Sequence, residues 1–127
     1  MKIVLEKLDY LFWLWILALF VGALIPGLGI SRADIGSFSF RADYLLHAIA
    51  FFGIVSIFAL ARRHKIHIFK ECGWLKLIAL CVVLGVSIEL IQYFIPGRAF
   101  NQYDLLSNLV GFTAGLVFFR LPALLKV

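Results

Sequence analysis

Four apolar stretches, at about residues 10–25, 44–61, 74–95 and 105–121, take up most of this chain and leave only short connections between them. A helix rises ~1.5 Å per residue, so each stretch is near the ~20 residues that cross ~30 Å of hydrocarbon. A segment in a bilayer core must satisfy its backbone amides within the protein, which leaves helices and closed barrels. Strand-period alternation is missing from the stretches, which argues against a barrel. The chain is 64% hydrophobic and its mean hydropathy is +1.04, where a soluble domain is roughly half apolar. The expected architecture is an all-α membrane protein: a single domain over residues 1–127, folded as a compact bundle of four transmembrane helices.

The charges orient this bundle. Nine of the twelve Lys and Arg residues fall at the N-terminus (Lys2, Lys7), around the middle connection (Arg62, Arg63, Lys65, Lys70, Lys76) and at the C-terminus (Arg120, Lys126). Only Arg32, Arg41 and Arg98 lie on the other side. Short cytoplasmic loops carry the basic excess, so both termini are expected in the cytoplasm. The first apolar run follows Lys2 and Lys7 as a signal peptide would, but it is long for that role. No A-x-A-like site comes before Pro26-Gly27, so it is expected to stay as a membrane helix. The net charge of +5 comes largely from the middle segment RRHKIHIFK, which suits a topology signal or a contact with anionic lipid headgroups. Nothing else supports nucleic-acid binding. His64, His67 and Cys72 make a poor zinc set, and Cys72 and Cys81 lie too far apart along the chain for a disulfide if both are helical.

Polar residues collect at the other ends of the apolar segments. Residues 89–108 read ELIQYFIPGRAFNQYDLLSN, and Arg41-Ala-Asp43-Tyr-Leu-Leu-His47 opens the second segment. The first and third segments both end in Ile-Pro-Gly, at Ile25-Pro26-Gly27 and Ile95-Pro96-Gly97. The second and fourth open with Asp43-x-x-x-His47 and Asp104-x-x-x-Asn108. This suggests a two-hairpin repeat of the parallel kind, and generic helix punctuation accounts for the same residues. If the repeat holds, the polar ends of the second and fourth helices face each other. Ser107, Gly111 and Gly115 form a small-residue stripe for close helix contact, and Gly53 and Gly85 suit the same purpose.

Helical spacing places Asp43 and His47 on one face of the second helix. It places Glu89, Gln92 and Tyr93 on one face of the third, and Asp104 and Asn108 on one face of the fourth. At ~1.5 Å per residue, His47 and Asn108 lie about 6 Å inside the helix ends and Glu89 about 9 Å, so they form one layer. Each residue has a structural role to set beside a functional one. Asp43 and Asp104 suit helix caps. Arg98 suits a solvated charge or a lipid phosphate. His47 suits a packed neutral ring, while Gln92, Tyr93 and Asn108 suit interhelical hydrogen bonds. Glu89 is the hardest to explain structurally, since a carboxylate at that depth needs a proton, a cation or a partner such as Arg98 or His47.

Taken together, Asp43-x3-His47-x4-Phe52-Gly53, Glu89-x2-Gln92, Pro96-Gly97-Arg98 and Asp104-x3-Asn108-x2-Gly111 resemble the VanZ-like family of small bacterial integral membrane proteins. The resemblance covers roughly two-thirds of the chain. It departs at Tyr44, where the family often has Lys, so an anion-binding role for that lysine is missing here or moves to Arg41. The resemblance implies an association with reduced susceptibility to teicoplanin-type glycopeptide antibiotics and supplies no mechanism for it.

Three functions fit the layer. The first is a pocket for the headgroup of an envelope lipid or a lipid-linked cell-wall precursor, lined by Asp43, His47, Glu89, Gln92, Tyr93, Arg98, Asp104 and Asn108, with Arg98 on the phosphate. The second is an enzyme acting on such a lipid, a hydrolase or transferase with Glu89 and His47 as catalytic acid and base. The third is a proton-linked transporter or flippase, for which four helices give little room. No cofactor is expected. A divalent metal held by Asp43, His47, Glu89 and Asp104 is the variant that would relieve the excess of carboxylates over arginines.

Overall fold

The computed structural model describes residues 7–25, 32–35, 38–96 and 100–124. Four helices, α1 (Leu8–Leu24), α2 (Ala42–Arg63), α3 (Gly73–Tyr93) and α4 (Gln102–Leu124), lie within three residues of the expected bounds at each end. Strands β1 (Arg32–Ile35) and β2 (Phe38–Arg41) add a short antiparallel hairpin between α1 and α2, with Arg32 opposite Arg41 and Ile35 opposite Phe38. The expectation of helices holds, and the hairpin is an addition to it. Eight residues of strand are too few to register as periodicity against four long apolar runs.

The helices alternate in direction. Phe12 of α1 meets Phe58 near the end of α2, while the Trp15 indole N–H donates to the Ala50 carbonyl at 3.1 Å, so α1 and α2 are antiparallel. Gln92, near the end of α3, donates to the carbonyl of Ala23, near the end of α1, at 2.6 Å, which makes α1 and α3 parallel. Along α2 and α4, His47 meets Asn108 and Phe52 meets Phe118 and Phe119. The arrangement is up-down-up-down, with the starts of α2 and α4 side by side.

Small residues set the closeness of this pairing. A methyl group added at Gly111 would overlap the Ala48 backbone carbonyl, and one at Gly115 would come within 2.7 Å of Val55 Cβ. Any larger side chain would push α2 and α4 apart, which is how small-residue stripes act in lipid-buried bundles. Ser107, the third member of the expected stripe, instead donates its hydroxyl to the Tyr103 carbonyl of its own helix at 2.7 Å. Gly53 has another neighbour, the Trp15 ring of α1, which lies where a side chain would be.

Between the helices lies one apolar core, formed by Phe12, Phe51, Ile54, Val55, Phe58, Leu77, Cys81, Leu84, Ile88 and Phe112. Apolar side chains also cover the outside, where Leu14, Leu17, Val82, Val83, Val110 and Phe118 are all exposed. Helices that are apolar all round suit a lipid environment. Asp43–Arg63 and Gly73–Tyr93, 21 residues each, are long and apolar enough to cross a membrane, and Leu8–Leu24 is a shorter apolar helix. α2 ends in a Schellman turn. The Ile66 N–H donates to the Ala61 carbonyl at 2.9 Å and the Lys65 N–H to the Arg62 carbonyl at 3.1 Å, with Lys65 left-handed at φ 61°. Cys72 and Cys81 are both free, one exposed and one buried.

Candidate functional site

At the end of the bundle where α2 and α4 begin and α3 finishes, four polar side chains gather around one point. Glu89 is 0% exposed, Asn108 2% and Asp104 7%, and the His47 side chain 14%. They come from three helices. Each lies on the strip of its helix that continues the apolar core, since Glu89 follows Gly85 and Ile88, and Asn108 precedes Gly111 and Phe112. The expected meeting of the polar ends of α2 and α4 is present at this point.

His47 is the hub. Its Nδ1 lies 2.9 Å from Asn108 Oδ1. A carboxamide oxygen can only accept, so Nδ1 carries the proton in this bond. The other ring nitrogen, Nε2, lies 3.9 Å from Asp104 Oδ2. Glu89 completes the group: one ligand-type atom from each of His47, Glu89 and Asp104 lies within 4.8 Å of the other two. Asn108 Nδ2 is buried and has no hydrogen-bond partner among the described residues. It lies beside Gly85 of α3, one turn below Glu89.

Asn101 is the residue that the sequence reading missed. Its side-chain oxygen accepts from the Tyr103 N–H at 3.0 Å, which makes it the N-cap of α4. Its amide nitrogen donates to Asp104 Oδ1 at 3.0 Å, and its backbone N–H donates to Glu89 Oε2 at 3.3 Å. Asp104 is therefore three residues into the helix, held by the cap and not the cap itself. The signal was present as Asn101-x-x-Asp104 at the start of an apolar run, a relative of the Ser/Thr-x-x-Glu capping box.

Other expected members fall outside the cluster. Gln92 is 2% exposed but spends its amide on Ala23, tying α3 to α1. Tyr93 is 64% exposed and packs edge-on to Phe94, which corrects its expected place in the layer. The rotation of α3 puts Ile88, Glu89 and Gln92 on its inward strip and leaves Tyr93 outside it. Asp43 sits in the first turn of α2 and does not belong to the group of His47, Glu89 and Asp104. Tyr44 contacts the Tyr103 ring at 6.0 Å, above the layer. Arg98 lies outside the described residues, and Arg41 closes β2.

Fold and site together define a four-helix bundle, two of its helices apolar enough to span a membrane, with a buried polar cluster at one end. The chain belongs to the VanZ/LLP1 family, whose model matches residues 11–125. This agrees with the resemblance seen in the Asp43, His47, Glu89, Asp104 and Asn108 spacing, and it extends over nearly the whole chain. No curated protein and no solved structure matches it.

Proposed function

We propose that this chain crosses the bacterial cytoplasmic membrane four times with both termini in the cytoplasm. On this reading its polar cluster opens toward the outer face and recognises the headgroup of an envelope lipid or a lipid-linked cell-wall precursor. The observation that supports this is the burial of Glu89, Asp104 and Asn108 around His47 at one end of a bundle with an apolar core. Ionisable groups within lipid-buried helices are costly, commonly ~2.5–3.5 kcal/mol each at the helix centre and less near the ends, so they mark ligand or ion sites. Packing alone would be served as well by leucines.

A second reading, hydrolysis or group transfer on the same lipid, draws on the pairing of His47 with Asp104 beside Glu89. An imidazole oriented by an amide and facing carboxylates is an arrangement suited to proton transfer. The two readings separate on product formation. Wild-type protein that only recognises the lipid should capture it and release it unchanged, whereas an enzyme should convert it to product, and Glu89→Gln should stop that conversion.

Mass spectrometry of lipids that co-purify with the wild-type protein identifies the ligand class, and wild-type protein that carries none in excess of bulk lipid overturns the recognition reading. Expression of the wild type and of His47→Ala in a susceptible host tests the link to teicoplanin-type glycopeptides, with reduced susceptibility expected for the wild type alone. Orientation is tested with Gln102→Cys in a Cys72→Ser background. Labelling by an impermeant thiol reagent should occur from outside intact cells, and labelling only from the cytoplasmic side would remove the site from the outer face.

A further inference from the structure

We infer that His47, Glu89 and Asp104 form a site for one divalent cation, and that this ion receives the phosphate of the headgroup. The second half rests on the recognition reading above; the first half does not. One ligand-type atom of each residue lies within 4.8 Å of the others. Ligands ~2.0–2.2 Å from one ion lie ~3.3–3.6 Å apart in a tetrahedral site, so side-chain movements of about 1 Å close it. The three ligands come from α2, α3 and α4 and are fixed by the packing of the helices, not by a loop.

The outer hydrogen bonds make the stronger case. Metal-ligating histidines commonly donate their second ring N–H to an oxygen, which fixes the tautomer and turns the other nitrogen to the ion. Here Asn108 Oδ1 accepts from His47 Nδ1 at 2.9 Å, leaving Nε2 on the side of Asp104. Asp104 is held in turn by the Asn101 amide at 3.0 Å through Oδ1, while Oδ2 is its atom toward His47. Glu89 is held through Oε2 by the Asn101 backbone N–H at 3.3 Å. Each of the three side chains thus has one polar atom fixed by a neighbouring amide.

One imidazole and two carboxylates suit zinc or manganese, and three protein ligands leave coordination positions for an incoming oxygen. A divalent ion adds positive charge beside the two carboxylates, which favours an anionic phosphate. Asn108 Nδ2, beside Gly85 and so one turn of α3 below Glu89, is a buried donor with no hydrogen-bond partner among the described residues.

The test uses full-length protein in detergent, stripped with a chelator and then titrated with MnCl2 or ZnCl2 alone. The wild type should bind one equivalent. Glu89→Gln and Asp104→Asn should each weaken binding by more than ~10-fold, since even outer-shell changes cost that much, whereas Arg120→Ala should leave it unchanged. A misfolded variant would also lose binding, so the wild type carries its own test: the paramagnetic resonance spectrum of bound Mn2+ should show coupling to one imidazole nitrogen. No stoichiometric binding at millimolar metal, no nitrogen coupling, or unchanged affinity in both carboxylate variants would overturn the site.

The phosphate half is read separately, by capture of phosphatidylcholine vesicles with and without phosphatidic acid. Capture should need phosphatidic acid and be lost with EDTA. Capture that survives EDTA overturns the ion's role and leaves headgroup recognition standing. Metal binding with no capture keeps the cation site and counts against recognition. Equal competition by inorganic phosphate at matched concentration would assign the ion to free phosphate and overturn the headgroup half.

Discussion

The two ends of this bundle carry charge in opposite ways. At the end where α2 finishes and α3 starts, Arg62 lies over the Phe58 ring at 5.9 Å, Arg63 over Phe119 at 6.0 Å and Arg120 over Trp74 at 5.3 Å. All three arginines are exposed. Beneath them Phe69 packs against Phe12, Trp13 and Phe58, which seals the core with rings. At the other end two charged groups, Glu89 and Asp104, are buried in the bundle. Long arginine stems reach along apolar surface to the interface at little cost, so the basic end needs only a topological explanation. A carboxylate turned into the bundle incurs a desolvation cost that no topology rule requires.

Substitutions can break or sharpen this contrast. The largest effect is expected at Gly111, which lets α2 and α4, two of the three helices that carry the cluster, meet closely. Gly111→Leu must displace the Ala48 backbone, so its cost should reach or exceed the upper end of the ~1–3 kcal/mol typical of overpacking, with loss of monodisperse protein in detergent. A wild-type melting temperature would mean that α2 and α4 do not meet as described. Next is Asn108→Leu, which removes the acceptor for His47 Nδ1–H. It should leave a buried donor unsatisfied at ~1–3 kcal/mol and weaken capture of envelope lipid about tenfold or more, both measurable on one preparation.

Asn101→Ala should cost ~1 kcal/mol as a lost N-cap. It should also weaken lipid capture, because the same side chain positions Asp104. Gln92→Leu separates packing from site: loss of its bond to Ala23 should lower stability by ~0.5–1.5 kcal/mol with lipid capture intact. The smallest effect belongs to the opposite end, where Arg120→Ala should lose only ~0.5–1 kcal/mol of cation–π stacking on Trp74 and leave capture unchanged. If Arg120→Ala impaired capture as much as Asn108→Leu, the distinction between the two ends would fail.

Most of the layer was legible because a helix converts spacing into position. His47, Glu89 and Asn108 could be placed near one depth from the rise per residue alone, with Asp104 at the end of its helix, and the structure brings the four together. The rotation of α3 was not legible. Gln92 and Tyr93 are adjacent, and in a segment apolar on all sides no hydrophobic stripe says which of them faces inward. Asn101 was overlooked because its contacts reach residues on two elements, the Glu89 carboxylate of α3 and the cap of α4.

What the sequence determined by itself was the helical class, the four segments, the accumulation of basic residues at one set of ends and polar residues at the other, and the family. These depend on hydropathy and on spacing along the chain, which are local properties. Only the tertiary structure decided which polar residues touch. It turned Gln92 toward α1 and Tyr93 outward, and it made Asn101 the shared support of Glu89 and Asp104. It also brought His47, Glu89 and Asp104 within reach of a single ion. The physical reason is that helix rotation and partner choice are set by close contacts such as Gly111 on Ala48, between residues far apart in sequence, and no periodicity in one segment records them.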